Sequence, residues 1–173
     1  MRIYQSDVMG GKIDHIFIGD STEIDCSDCP DLIELPMWPK VKSVDCSECP
    51  GLTKLRSWNT IETIVCSNCP GLTELPSWPN IELVSCFNCP GLTKLPSWPN
   101  IIHVFCFNCT GLTELPSWPN IKIVNCNNCP GLTELPLWTN IKSIECYKCP
   151  GLKCPGLNKL PLWPIVEIVD SGL

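Results

Sequence analysis

Fourteen of the fifteen cysteines fall into seven C-x-x-C pairs: Cys26/Cys29, Cys46/Cys49, Cys66/Cys69, Cys86/Cys89, Cys106/Cys109, Cys126/Cys129 and Cys146/Cys149. Two adjacent pairs read C-x2-C-x16-C-x2-C, within the spacing range of four-thiolate zinc sites. Against zinc, seven pairs do not divide into four-thiol sites, and the spacing follows from a repeat length. Against disulfides within a pair, cysteines three apart in extended chain lie ~10 Å from each other, beyond the ~7 Å limit. Thiol redox exchange normally needs a thioredoxin-like βαβ setting, which the sequence lacks. The favoured reading is a stacked ladder of core thiols, each a small hydrophobe with a weak S–H donor. No metal and no cofactor is then expected, and a zinc-thiolate or redox-responsive cysteine protein is the alternative.

What positions these thiols is a 20-residue period, carried also by Trp38, Trp58, Trp78, Trp98, Trp118, Trp138 and, after an insertion, Trp163. Written from Ile81 to Asn100, the unit is I-x-x-V-x-C-x-x-C-P-G-L-T-E/K-L-P-S-W-P-N. Its β-branched anchors predict one short strand per coil, and successive strands stack in parallel about 4.8 Å apart, giving a solenoid roughly 30 Å long. Proline recurs two or three times in the return leg, which excludes a helix there and predicts extended or polyproline-II backbone. Leucines at positions twelve and fifteen and tryptophan at eighteen then face the strand. The expected fold is mainly β: a right-handed solenoid with one parallel strand per coil and almost no helix.

The pattern resembles the leucine-rich repeat family. Ile101, Val104, Cys106 and Cys109 fill the positions of its L-x-x-L-x-L-x-x-N/C signature, and Leu112, Leu115, Pro116, Trp118 and Pro119 resemble the L-x-x-L-P-x-L-P tail of its shortest members. The chain is also similar to short leucine-rich repeat proteins of giant viruses of amoebae. The resemblance covers residues 21 to 163 and implies a binding scaffold rather than an enzyme, placed in the host cytoplasm if viral. It divides the chain into an N-terminal hairpin cap (1–20), seven repeats (21–164) and a truncated terminal strand (165–173).

In the strand of such a repeat, positions one, four and six face inward, and positions three, five and seven face outward on the concave surface. The seven repeats differ there. Repeats one and two place Glu23, Asp25, Ser27 and Ser43, Asp45, Ser47 outward, with Asp28 and Glu48 alongside, an acidic patch. Repeats four to six present Leu83, Phe87, His103, Phe105, Phe107 and Ile123. An outward apolar cluster on a soluble chain marks an interaction surface, so these six are expected to form the centre of a protein-binding face. Asp25 and Asp45 are expected to steer a basic partner.

The remaining patterns are read as scaffold. Charges at position fourteen mostly alternate: Glu34, Lys54, Glu74, Lys94, Glu114, Glu134, Lys159. Thr53, Thr73, Thr93, Thr113 and Thr133 form one ladder and Asn80, Asn100, Asn120 and Asn140 another, suited to bonding backbone between coils. Residues 1–20 carry Ile3, Tyr4, Val8, Gly10-Gly11, Ile13, Ile16 and Ile18, a hairpin pattern. Cys149-Pro150-Gly151-Leu152-Lys153 is nearly duplicated from Cys154, so one of Cys149 and Cys154 is expected to leave the ladder as a more exposed thiol. A homodimer through residues 160–173 is a second partner expectation.

Charge excludes a nucleic-acid binder: the chain has 18 acidic against 12 basic side chains. Residues 1–50 hold ten acids and four bases, so the excess lies at one end. No apolar run approaches the ~18 residues of a membrane span, and no leader pattern is present, so no membrane partner and a cytoplasmic location are expected. Neither His15 nor His103 belongs to a catalytic pattern, and a non-enzymatic role is expected.

Overall fold

With a β-branched residue at position four and prolines throughout the return leg, each coil has room for only a brief strand. The computed structural model describes residues 1–152, which contain seven three-residue strands. They are β1 (Glu23–Asp25), β2 (Ser43–Asp45), β3 (Thr63–Val65), β4 (Leu83–Ser85), β5 (His103–Phe105), β6 (Ile123–Asn125) and β7 (Ser143–Glu145). All are parallel in one sheet, in chain order. The register advances by one repeat at every step, Ile24 opposite Val44 and Val104 opposite Val124. The expected β-solenoid is thus observed, and the described residues contain one short 3-10 helix, Gln5–Asp7. Cys154, Trp163, the terminal strand and the candidate dimer segment lie outside the described residues.

The core is a set of columns running along the stack. Position four is fully buried in the central coils, as are both cysteines, and the leucines at twelve and fifteen face them from the return leg. Tryptophan closes the column. Trp38 stacks on Trp58 with ring centroids 6.1 Å apart, and Trp78, Trp98, Trp118 and Trp138 stack in series at 5.8–6.1 Å. A buried indole N–H needs an acceptor, and the previous coil supplies one. Trp58, Trp98, Trp118 and Trp138 donate to the carbonyls of Pro36, Pro76, Pro96 and Pro116 at 2.9–3.1 Å. The same logic uses the amides of Asn80, Asn100, Asn120 and Asn140, each bonded to a backbone carbonyl one coil back at 2.7–2.9 Å. That ladder matches its expectation. The position-fourteen charges do not: among the described residues no ion pair joins them to each other, and Glu34 instead takes Lys12 and Arg56. Of the threonine ladder, Thr113 bonds the Thr93 carbonyl at 3.3 Å.

Two positions have a steric reason for their residue. Position eight turns the chain with a left-handed backbone in every coil, φ 53–59° from Asp28 to Lys148. Asparagine tolerates that region better than most residues, and it fills the four central coils. The turn redirects the N–H along the stack, so that Asn68, Asn88 and Asn108 donate to Phe87, Phe107 and Asn127 carbonyls at 2.8–3.0 Å. Position eleven is glycine from the second repeat onward because the preceding coil presses on it. A Cβ on Gly91 would sit 2.6 Å from the Leu72 carbonyl oxygen and 3.1 Å from that of Pro70. In the first repeat no repeat precedes it, and Asp31 stands there.

The N-terminal hairpin is smaller than its pattern suggests. Only Met9 and Lys12 pair antiparallel, around Gly10 and Gly11 at φ 57° and 78°, as a two-residue turn requires. The 3-10 turn, held by the Asp7 carboxylate accepting the Tyr4 N–H at 2.8 Å, takes residues 5–7 out of extended geometry. Met1 to Ile3 instead runs parallel to β1, with Asp25 N–H donating to the Met1 carbonyl and Ile3 N–H to the Asp25 carbonyl, both at 2.7 Å. Ile3 and Ile13 seal the end of the core.

Gly91→Ala should therefore destabilise the protein by about 1–3 kcal/mol, the usual cost of forcing atoms into a packed site, in urea unfolding followed by tryptophan fluorescence. An unchanged midpoint would mean that neighbouring coils do not approach this closely.

Candidate functional site

The cysteines occupy two distinct roles. The strand's hydrogen bonds end at position six, where the N–H is still paired (Cys66 to the Ser85 carbonyl, 2.8 Å) but the carbonyl faces a coil whose next residues have turned away. The second cysteine of the following coil fills that gap. Cys49, Cys69, Cys89, Cys109, Cys129 and Cys149 each donate S–H to the carbonyl of Cys26, Cys46, Cys66, Cys86, Cys106 and Cys126 in turn, at 3.0–3.3 Å. Cys149 thus keeps its ladder position, half-buried, and accepts the Cys129 N–H at 3.4 Å. Among the described cysteines it alone is only half-buried. The ten cysteines from Cys26 to Cys109, and Cys129, are free thiols. Among the described residues no three histidine, cysteine or acidic side chains converge as ligands for a metal ion.

Burial sets the chemistry of these thiols. It raises Cys46 and Cys66 well above the ordinary value of 9.0 and pushes Cys49 and Cys89 up to about 12 and Cys69 to about 11. A thiolate is the nucleophile, so these groups are poor in reactivity at neutral pH.

The outward positions form three rows along the sheet. Position three runs through Leu83, His103 and Ile123, adjacent in register on β4, β5 and β6. Phe105 stands at position five between Ser85 and Asn125. Phe87 and Phe107 stack in position seven with centroids 4.5 Å apart and planes 7° from parallel. The six expected centre residues are thus brought together, but each is half-buried rather than exposed. Strand spacing explains this: neighbours on both sides shield every outward side chain, and the stacked phenylalanines cover one another's faces. Phe17, on the cap, is the phenylalanine that stands in solvent, 89% exposed.

At the acidic end Asp25 and Asp45 are opposite each other on β1 and β2. Asp25 is not free: Arg2 pairs with it and with Asp28. Burial pushes the Asp25 carboxyl up, but hydrogen bonds from Arg2 and Ser27 outweigh this and hold it below its ordinary value of 3.8. The basic group that answers this acid comes from outside the repeat, where periodic reading gives no signal. A fourth row, position eight, also escaped that reading: Asn128, Asn108 and Asn88 each donate from Nδ2 to the asparagine Oδ1 one coil back at 2.5–2.9 Å, and Asn68 donates to Glu48. The recurring asparagine just before the second cysteine was its visible signal.

In comparisons with known proteins, the chain matches no family model and no curated protein. Among the described residues no helix is long and apolar enough to cross a membrane.

The buried thiols make stability fall in alkali. An unfolded thiol loses its proton through pH 9, whereas a folded one held near 12 keeps it, so the native state binds more protons and stability drops as pH rises. Each such thiol removes about 1.4 kcal/mol per pH unit between its unfolded and folded values. Under reducing conditions the far-UV circular dichroism should collapse between about pH 9 and 11. Retention of the spectrum at pH 11 would show that the thiols are not buried in this way.

Proposed function

We propose that this chain is a non-catalytic, leucine-rich-repeat-like scaffold of the cytoplasm that binds a partner protein on its concave sheet face. The observation carrying this reading is the half-buried apolar cluster of Leu83, Phe87, His103, Phe105, Phe107 and Ile123 on a face otherwise lined by small and polar residues. Stacking constrains positions four, six, nine, eleven, twelve and eighteen, which hold nearly the same residue in every coil. Positions three, five and seven are under no such constraint, and their side chains change along the face from acidic to apolar to amide. Large rigid rings clustered at the centre of a face are the usual source of interface affinity.

The test is a selection of phage-displayed random dodecapeptides on the folded protein. Peptides recovered should lose at least about tenfold in affinity on the triple variant Phe87→Ser, Phe105→Ser, Phe107→Ser, in line with the loss of a buried aromatic anchor. They should bind Met37→Ser, changed on the exposed return leg, as they bind the unaltered protein. Undiminished binding to a folded triple variant would overturn the reading.

A further inference from the structure

One guanidinium already lies on this face. Arg2 sets its guanidinium against Asp25 Oδ2 and donates to Ser27 Oγ at 2.9 Å and to Asp28 Oδ2 at 3.3 Å. The acceptors are held ready for it: Asp25 Oδ1 takes the Ser27 N–H at 3.1 Å and the Ser27 hydroxyl at 2.9 Å, leaving Oδ2 for the cation.

The next coil builds the same group from the same sequence pattern. Asp45-Cys46-Ser47-Glu48 repeats Asp25-Cys26-Ser27-Asp28 with one acid lengthened. Asp45 Oδ1 takes the Ser47 N–H at 3.0 Å and the Ser47 hydroxyl at 2.7 Å, as Asp25 does on β1. Its Oδ2 therefore corresponds to the oxygen that Arg2 occupies one coil earlier. Among the described residues no cation pairs with Asp45 or Glu48. Asp45 also lines an open cleft of about 370 Å³ with Arg2, Glu23, Asp25 and Ser43.

We propose that this face docks an arginine-bearing peptide segment lying across the strands, its guanidinium at Asp45 and Ser47 and its apolar anchor against Phe105 and Phe107. The proposal rests on the reading of this face as a partner surface and adds the partner's chemistry and direction. Arginine fits better than lysine because a planar fork can span the Asp-Ser pair and the acid at position eight together, as Arg2 does with Nη1 on Asp25 and Ser27 and Nη2 on Asp28. The rings do not take the cation. Phe87 and Phe107 spend facing ring surfaces on each other, and their outward edges carry the positive end of the ring quadrupole, which suits an aliphatic side chain or an aromatic face. From β2 to β5 is three strand spacings, about 14 Å, which an extended chain covers in roughly four residues.

The experiment uses the same phage-displayed dodecapeptide library, with recovered peptides resynthesised and titrated by fluorescence anisotropy. Peptides should carry arginine about four residues from a Phe, Leu or Trp. Replacing that arginine by glutamine, or Asp45→Asn in the protein, should each weaken binding about tenfold, as expected for a charge-assisted pair. Asparagine keeps an oxygen for Ser47, so this variant preserves the local hydrogen bonds. If recovered peptides lack arginine and bind Asp45→Asn unchanged but lose affinity for Phe107→Ser, the arginine proposal is overturned and the binding-face reading stands. Peptides indifferent to both variants, or a library yielding none, overturn both.

Discussion

Everything in this molecule follows from parallel stacking of identical coils at strand spacing. A 20-residue turn that returns to the same point one strand further on brings each residue against its own counterpart, so any group that cannot tolerate a copy of itself at that distance is excluded from the constrained positions. The described part of the stack also has no helix to satisfy its backbone. Polar groups are met across the coil boundary: by N–H groups at positions six and eight, by S–H at nine, by indole N–H at eighteen and by amide N–H at twenty. No described buried side-chain nitrogen or oxygen lacks a partner. The cysteine at nine is chosen on this account for a donor small enough to sit in the core and still reach the Cys carbonyl behind it.

The same constraint delimits where the protein can recognise anything. Inward and turn positions are fixed by stacking, while the outer rows need only side chains that tolerate neighbours of the same coil register. Asp25 and Asp45, in register on β1 and β2, show the limit of that tolerance. Like charges at that separation repel, and on the first coil Arg2 offsets the repulsion. At the centre the constraint favours flat rings, which stack at the strand spacing as Phe87 and Phe107 do. A face built this way changes character along the solenoid axis, so a segment crossing the strands meets an acid, then small side chains, then rings.

Much of this was legible in the sequence. The period placed the strands, the inward columns, the indole series and the Asn80–Asn140 ladder, because each depends on residue type at a fixed interval. What was not legible depends on rotamers and on residues without a period. The half-burial of Phe87 and Phe107 follows from ring stacking, which spacing alone does not determine. The charges at position fourteen alternate in sequence, yet Glu34 turns to Lys12 and Arg56 instead. Arg2 lies in the non-repeating cap, and its grip on Asp25 could not be inferred from a motif. The hairpin around Gly10-Gly11 was visible as a turn, but the parallel course of Met1 to Ile3 depends on the free edge of β1.

The central claim is that successive coils are hydrogen-bonded in register beyond their strands, and amide hydrogen exchange resolved by residue tests it directly. The N–H groups of Asn68, Asn88 and Asn108 lie in turns but donate to the next coil. They should exchange as slowly as the strand-end amides of Cys66, Cys86 and Cys106, which are bonded across the same boundaries at 2.8 Å. Exchange of the asparagine amides at the rate of an open loop, with the strand amides still protected, would contradict the account.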